Sequence, residues 1–200
     1  VAIDSAVLEE RIEDARGLSE EILREKYRLG NDVRDWKVSL AQQDVRTNFS
    51  SEKICKYNYR PFDARWTFLS GKTKGFLSYP RTEVMFHLQA KDNLAFNLCR
   101  QLSGSFFAHG LVSNVPIDLN SLSLQTKEQS YCAPLYLYPE EGTFETERRV
   151  NFDPKIYAEI RERAGLSGVD GDELKVFDYI YGVLHSPDYR ATYAQFLKID

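Results

Sequence analysis

Residues 55–71 read Cys-Lys-Tyr-Asn-Tyr-Arg-Pro-Phe-Asp-Ala-Arg-Trp-Thr-Phe-Leu-Ser-Gly. Two short aromatic-rich runs, Cys55 to Tyr59 and Trp66 to Leu69, are separated by Pro61 and closed by Ser70-Gly71. That punctuation predicts two strands joined by a turn. Directly beyond, Gly71-Lys-Thr-Lys-Gly sets Lys72 and Lys74 between glycines, a basic turn whose charges belong in solvent. Working outward, Tyr79-Pro80 predicts a helix from Arg81 to about Leu88, because proline is well tolerated near a helix start. Strands are expected at Leu94 to Leu98, Phe106-Phe107, Leu111 to Val115 and Ala133 to Tyr138. Residues 117–130, rich in Ser, Asn, Asp and Gln, read as an irregular loop, and 140–149 as a charged one.

Both ends of the chain are helical. Val7, Leu8, Ile12 and Ala15 recur at helical spacing until Gly17. Ser19 caps a second helix running to about Arg28 and stopping at Gly30, and Asp32 is placed to cap a third carrying Val33, Trp36, Leu40 and Val45. These short helices are too polar to make a core by themselves and are expected to pack on something else. Asp153-Pro154 starts a helix with Ile156, Ile160 and Ala164 on one face. Val176, Tyr179, Ile180, Val183 and Leu184 form the apolar stripe of the next. Ser186-Pro187 begins the last, which reaches Leu197. The expected class is α+β, a small mixed or antiparallel sheet in the centre flanked by N-terminal and C-terminal helices. Three parts are expected: a helical linker or docking segment at 1–52, an α+β core at 53–150 and a C-terminal helical segment at 151–200.

The formal net charge of -4 hides an asymmetry. Residues 53–101 carry nine basic side chains against Asp63, Glu83 and Asp92, while acidic residues outnumber basic ones on either side. A polyanion would therefore meet the middle of the chain, unless folding scatters these charges. No run of about 18 apolar residues exists and the start lacks a basic, apolar leader, so a cytoplasmic protein is expected. The sequence begins Val-Ala-Ile without Met and ends Lys-Ile-Asp without a breaker, so a piece of a longer polypeptide is expected.

Catalytic patterns fail one by one. Ser-Gly-Lys-Thr at 70–73 resembles the end of a phosphate-binding loop, but that loop needs a glycine where Trp66 stands. Glu173-Leu-Lys is half of a nuclease metal site, without a second carboxylate, and a helix start explains its glutamate. His87, His109 and His185 do not pair with Cys55, Cys99 or Cys132 at zinc spacing. No nucleophile elbow and no Pro-Pro pair for a methyltransferase catalytic loop occur. What remains is basic and aromatic: Tyr57, Tyr59, Arg60, Phe62, Arg65, Trp66, Lys72, Lys74, Phe76, Tyr79 and Arg81 within 25 residues.

These residues carry a family resemblance. Tyr-Arg-Pro-Phe-Asp-Ala-Arg-Trp at 59–66, Ser-Gly-Lys-Thr-Lys-Gly-Phe at 70–76, Tyr-Pro-Arg-Thr-Glu-Val-Met at 79–85 and Cys-Arg-Gln at 99–101 resemble the C-terminal target-recognition (specificity) domain of type ISP and type IIG-like restriction–modification enzymes. The tail from Val176 to Arg190 is the most specific match. The resemblance implies a bacterial, non-catalytic module that reads duplex DNA and positions it for an adenine methyltransferase and a nuclease elsewhere in one polypeptide. S-adenosylmethionine, ATP and Mg are implied only for those other domains, and no cofactor or metal is expected in this chain. Segments shared by readers of different sequences cannot set the sequence, so they build the fold or hold phosphates. Arg60, Arg65, Lys72, Lys74 and Arg81 are the phosphate candidates, with a pair to Asp63 an equal prospect for Arg65. Base reading falls to the least family-like stretch, about 100–132, with candidates Arg100, Gln101, Ser103, His109, Asn114, Asn120, Gln125 and Lys127. The alternative is a docking domain whose helices at 8–46 and 153–197 pack on the methyltransferase without reading DNA.

Overall fold

The computed structural model describes residues 1–104, 107–125, 127–140 and 142–198. The chain is α+β and divides into two compact units, residues 1–91 with 115–121, and residues 92–114 with 122–200.

The first unit begins with three helices, α1 (Ser5–Gly17), α2 (Glu20–Tyr27) and α3 (Val38–Asn48). Asp4 accepts the Ala6 N–H at 2.7 Å and Ser19 accepts that of Ile22 at 3.4 Å, each satisfying a free donor at a helix start. An antiparallel hairpin follows, β1 (Ile54–Arg60) paired with β2 (Asp63–Phe68) from Ile54↔Phe68 to Arg60↔Asp63. Neither edge of the hairpin is bare. Ala2 bridges Trp66 on one side, and Asn58 exchanges backbone hydrogen bonds with Pro116 and Asp118 on the other. A single turn of helix, α4 (Thr82–Met85), completes the unit.

The second unit is built on β3 (Ala95–Cys99), which lies between β4 (Leu111–Ser113) and β5 (Ser130–Pro134) in an antiparallel sheet. A separate ribbon pairs β6 (Tyr136–Leu137) with β7 (Arg149–Val150). Helices α5 (Pro154–Ala164), α6 (Asp172–His185) and α7 (Pro187–Thr192) follow. Phe96, Leu135, Tyr136 and Phe177 form the core of this unit, with the rings of Phe96 and Phe177 stacked at 3.9 Å.

Several expectations change. The polar N-terminal helices do have a core: Leu8, Ile12, Ala15, Leu23, Val38 and Val45 close over Phe68 of the hairpin. The apolar surface missing from the helices comes from β2, so residues 1–52 share a unit with the hairpin beyond them rather than standing apart from it. Asp32 does not begin α3. Residues 33–36 form a tight bridge first, and Asp32 caps from six residues away by accepting the Val38 N–H at 3.2 Å. The helix expected to reach Leu88 stops at Met85, after Arg81 takes a left-handed φ of 52°. The strand expected at 133–138 divides around Leu135, and 140–149 ends in β7. Tyr179 and Ile156, placed on core stripes by spacing, are 67% and 59% exposed. The strand expected at Phe106-Phe107 falls partly outside the described residues, and Phe107 is buried in irregular backbone.

Candidate nucleic-acid interface

In the first unit, Asp44 is fully buried on the inner face of α3. Its carboxylate accepts hydrogen bonds from the Ser70 hydroxyl at 2.7 Å, the Phe76 N–H at 2.8 Å and the Asn48 side-chain amide at 2.8 Å. Three neutral donors satisfy a charge that burial would otherwise penalise heavily. The effect is to fasten both ends of 70–76 to one atom group. Gly75 is obligatory, because a Cβ there would lie 2.1 Å from the Asp44 Oδ2. Gly71, at φ 89°, supplies the left-handed turn at the other end. The Trp36 indole N–H bonds the Phe76 carbonyl at 3.2 Å, and the Thr82 hydroxyl bonds that of Gly71 at 2.9 Å. Lys72, Thr73 and Lys74 are thereby held outward on a pinned loop, all exposed.

The five phosphate candidates all lie in this unit, but in two groups. Lys72, Lys74 and Arg81 are exposed at the open end of the hairpin, and among the described residues none is within ion-pair distance of an acid. Arg60 and Arg65 stand at the hairpin's turn, already engaged. Arg65 grips Asp63 at 2.7 Å, the structural fate read from the sequence as its alternative, and Arg60 lies 3.2 Å from Asp118. The Arg65 guanidinium holds the Asp63 carboxyl below its ordinary range. Both guanidiniums also flank the Tyr59 ring, at 4.0 and 4.4 Å. Folding dilutes the basic third of the sequence as well: the first unit carries 16 basic and 15 acidic side chains and the second 10 and 15. The charge is therefore nearly balanced over the first unit, with Lys72, Lys74 and Arg81 as a local basic group.

In the second unit, the sheet register sorts the base-reading candidates. Arg100, Gln101 and Ser103 leave the C-terminal end of β3, His109 leads into β4, and Gln125 and Lys127 lead into β5, whose Ser130 pairs with Cys99. These six converge at one end of the sheet. Asn114 lies at the opposite end, since Ser113 pairs with Ala95. Asn120 belongs to the first unit, where its N–H bonds Asp118 at 2.9 Å.

The convergence has a centre that the sequence did not announce. Glu128 is 3% exposed and accepts the Ser123 hydroxyl at 2.5 Å and the Ser103 backbone N–H, while His109 Nε2 lies 3.7 Å away. The Ser123 oxygen in turn accepts the Gln125 N–H at 3.2 Å. The buried Glu128 carboxylate thus ties the Ser103 segment to its own loop at 123–125, with His109 of a third segment beside it, and Ser103 and Gln125 are exposed. Bonds from Ser123 and the Ser103 N–H, with His109 beside them, hold the Glu128 carboxyl below its ordinary value. Neither Asp44 nor Glu128 was read as functional from the sequence. Asp44 had one available signal, an acid on the buried face of a helix beside Ala41 and Val45. Glu128, in a polar stretch, had none.

Burial pushes the thiols of Cys55 and Cys132 up to about 12 and that of Cys99 to about 11, leaving them protonated and poor nucleophiles at neutral pH. Glu173 is a core anchor, accepting the Tyr136 hydroxyl at 2.6 Å. Among the described residues no group of three His, Cys, Asp or Glu is placed to hold a metal ion, and no helix is long and apolar enough to cross a membrane.

Comparison with known proteins gives a consistent picture. Among curated proteins none matches the chain. Three solved structures share its fold. One is a cryo-EM structure of a DrdV–DNA complex, at 18% identity and a TM-score of 0.61, covering 98% of this chain and 18% of that one. The second is the ATP-dependent Type ISP restriction–modification enzyme LlaBIII bound to DNA, at 20% and 0.60, covering 97% and 12%. The third is a nuclease-deletion mutant of the Type ISP enzyme LlaGI in complex with a DNA substrate mimic, at 25% and 0.53, covering 98% and 17%. The chain thus spans less than a fifth of each of these proteins. The family model of the Type ISP C-terminal specificity domain matches residues 1–200, from the first residue to the last, and the chain belongs to that family.

Proposed function

We propose that this chain is a sequence-reading module for duplex DNA, that it performs no chemistry itself, and that it positions target DNA for an adenine methyltransferase and a nuclease elsewhere in a restriction–modification polypeptide. The observation that carries the reading is the whole-chain match to a specificity-domain family, supported by structural relatives of which two are bound to DNA and one to a DNA substrate mimic. S-adenosylmethionine, ATP and Mg belong, on this reading, to the other domains. Lys72, Lys74 and Arg81 hold phosphates from the pinned loop. Arg60 and Arg65 keep their carboxylate partners and shape the hairpin turn. The six candidates at the C-terminal end of β3 read base edges, fixed in register by Glu128. Asn114 and Asn120, placed elsewhere, have supporting roles at most.

A docking role is favoured by one feature: Ile156 and Tyr179 lie exposed on helices of the second unit where their spacing suits a buried contact. A salt titration separates the two readings. Binding of labelled duplex DNA should weaken steeply with salt, and the double variant Lys72→Ala/Lys74→Ala should bind more weakly, with the log–log slope reduced by about 2. Unchanged affinity and slope in that variant would leave the docking reading in possession.

A further inference from the structure

The hairpin turn carries a residue that the fold would do better without. Its two central residues are Pro61 and Phe62, closed by the Arg60↔Asp63 pair. Proline first and a positive φ second is the type II pattern, which ordinarily takes glycine or asparagine in second place. Here that place is held by Phe62, at φ 60° and 98% exposed. The backbone at this residue is strained, and the exposed ring contributes no burial to offset it. The support around it is rigid. Ala2 and Pro116 to Asp118 cover the two edges of the hairpin, and Tyr59 is flanked by Arg60 and Arg65, each tied to an aspartate. Along 54–68, Phe62 is the one large apolar side chain exposed. Charged residues Arg60, Asp63 and Arg65 flank the Pro61-Phe62 turn in sequence.

We infer that Phe62 is a wedge that enters the base stack of duplex DNA, an inference resting on the DNA reading above. A lone planar ring projecting from a turn suits the gap between two base pairs, and phenylalanine is among the residues that proteins insert there. The rest of the hairpin suits the same ligand. Lys72 and Lys74 sit past the far end of β2, about 20 Å from the ring along the strand, or about six base-pair steps. One unit can therefore hold backbone at one end and open the stack at the other.

The test exploits the conflict between fold and function. Phe62→Gly and Phe62→Asn should melt at or above the temperature of the unaltered chain and yet bind duplex DNA at least tenfold more weakly, while Phe62→Leu keeps most of the affinity. The probe is a duplex that the unaltered chain binds, with 2-aminopurine replacing each adenine in turn. Fluorescence should rise at one position with the unaltered chain and stay quenched with Phe62→Gly. Well-folded variants that bind like the unaltered chain overturn the wedge, leave the DNA reading standing and assign the ring to a protein contact. Lost affinity with no position unstacked by the unaltered chain also overturns insertion. If the unaltered chain binds no duplex, the DNA reading fails and the wedge fails with it.

Discussion

The pinned loop at 70–76 and the polar loops around Glu128 solve one problem in two ways. Each must hold exposed backbone in a fixed shape without a strand or helix to do so, and each uses a buried carboxylate as the fastening point. Asp44 sits on a helix inside a packed core and binds neutral donors, two from the 70–76 loop and one, Asn48, from its own helix. Glu128 sits within a loop itself and joins that loop to the Ser103 segment, with a histidine beside it. The first arrangement gives a stiff platform for two lysines and suits contacts that do not depend on sequence. The second couples several polar side chains to one charge and suits contacts that do. In both, a carboxylate at the centre of a basic or polar surface acts on the polyanion only through the loops it holds.

The largest expected effect is at Asp44. Asp44→Ala leaves the Ser70, Phe76 and Asn48 donors without their shared acceptor and should lose about 3 kcal/mol in urea unfolding, with DNA affinity falling too. Gly75→Ala forces the loop off Asp44 and should lose about 2 kcal/mol, although the substitution removes no interaction. If Gly75→Ala is neutral, the loop is not pinned and the comparison breaks on that side.

Glu128→Gln is expected to act differently: overall stability changes little, but the loops lose their common centre. The pH dependence sharpens this. A carboxyl held below its ordinary value near 4.5 contributes its stabilisation above that value and loses it as pH falls through the lower, folded one. Amide exchange at Ser103 should therefore be slow from neutral pH down to about 4.5 and show excess opening below it, after correction for intrinsic rates, while exchange at Leu69, whose N–H bonds the Lys53 carbonyl, serves as the control.

Much of the scaffold was legible in the sequence. The hairpin announces itself because Pro61 separates two aromatic runs, and Ser19 and Asp153 cap their helices as their positions imply. The basic loop was legible because two glycines leave Lys72 and Lys74 nowhere but solvent. The fastening points were not. Asp44 meets partners 26 and 32 residues away, and no local pattern encodes that distance. The core of the N-terminal helices was hidden for the same reason, since Phe68 completes it from a strand. Phe62 was counted with the aromatic residues of the basic cluster but not singled out, because Pro-Phe suits a type I turn, with no positive φ, as well as a type II one. Asn120 was grouped with the wrong neighbours because 115–121 returns to the first unit before the chain rejoins the second.

The most direct measurement of this division of labour is selection from a random duplex pool at low salt, run with the unaltered chain, the Lys72→Ala/Lys74→Ala variant and Glu128→Gln. The account predicts one short non-palindromic motif for the unaltered chain, the same motif at reduced yield for the lysine variant, and salt-sensitive binding without a motif for Glu128→Gln. The same motif emerging undiminished from Glu128→Gln, or a changed motif from the lysine variant, would contradict it.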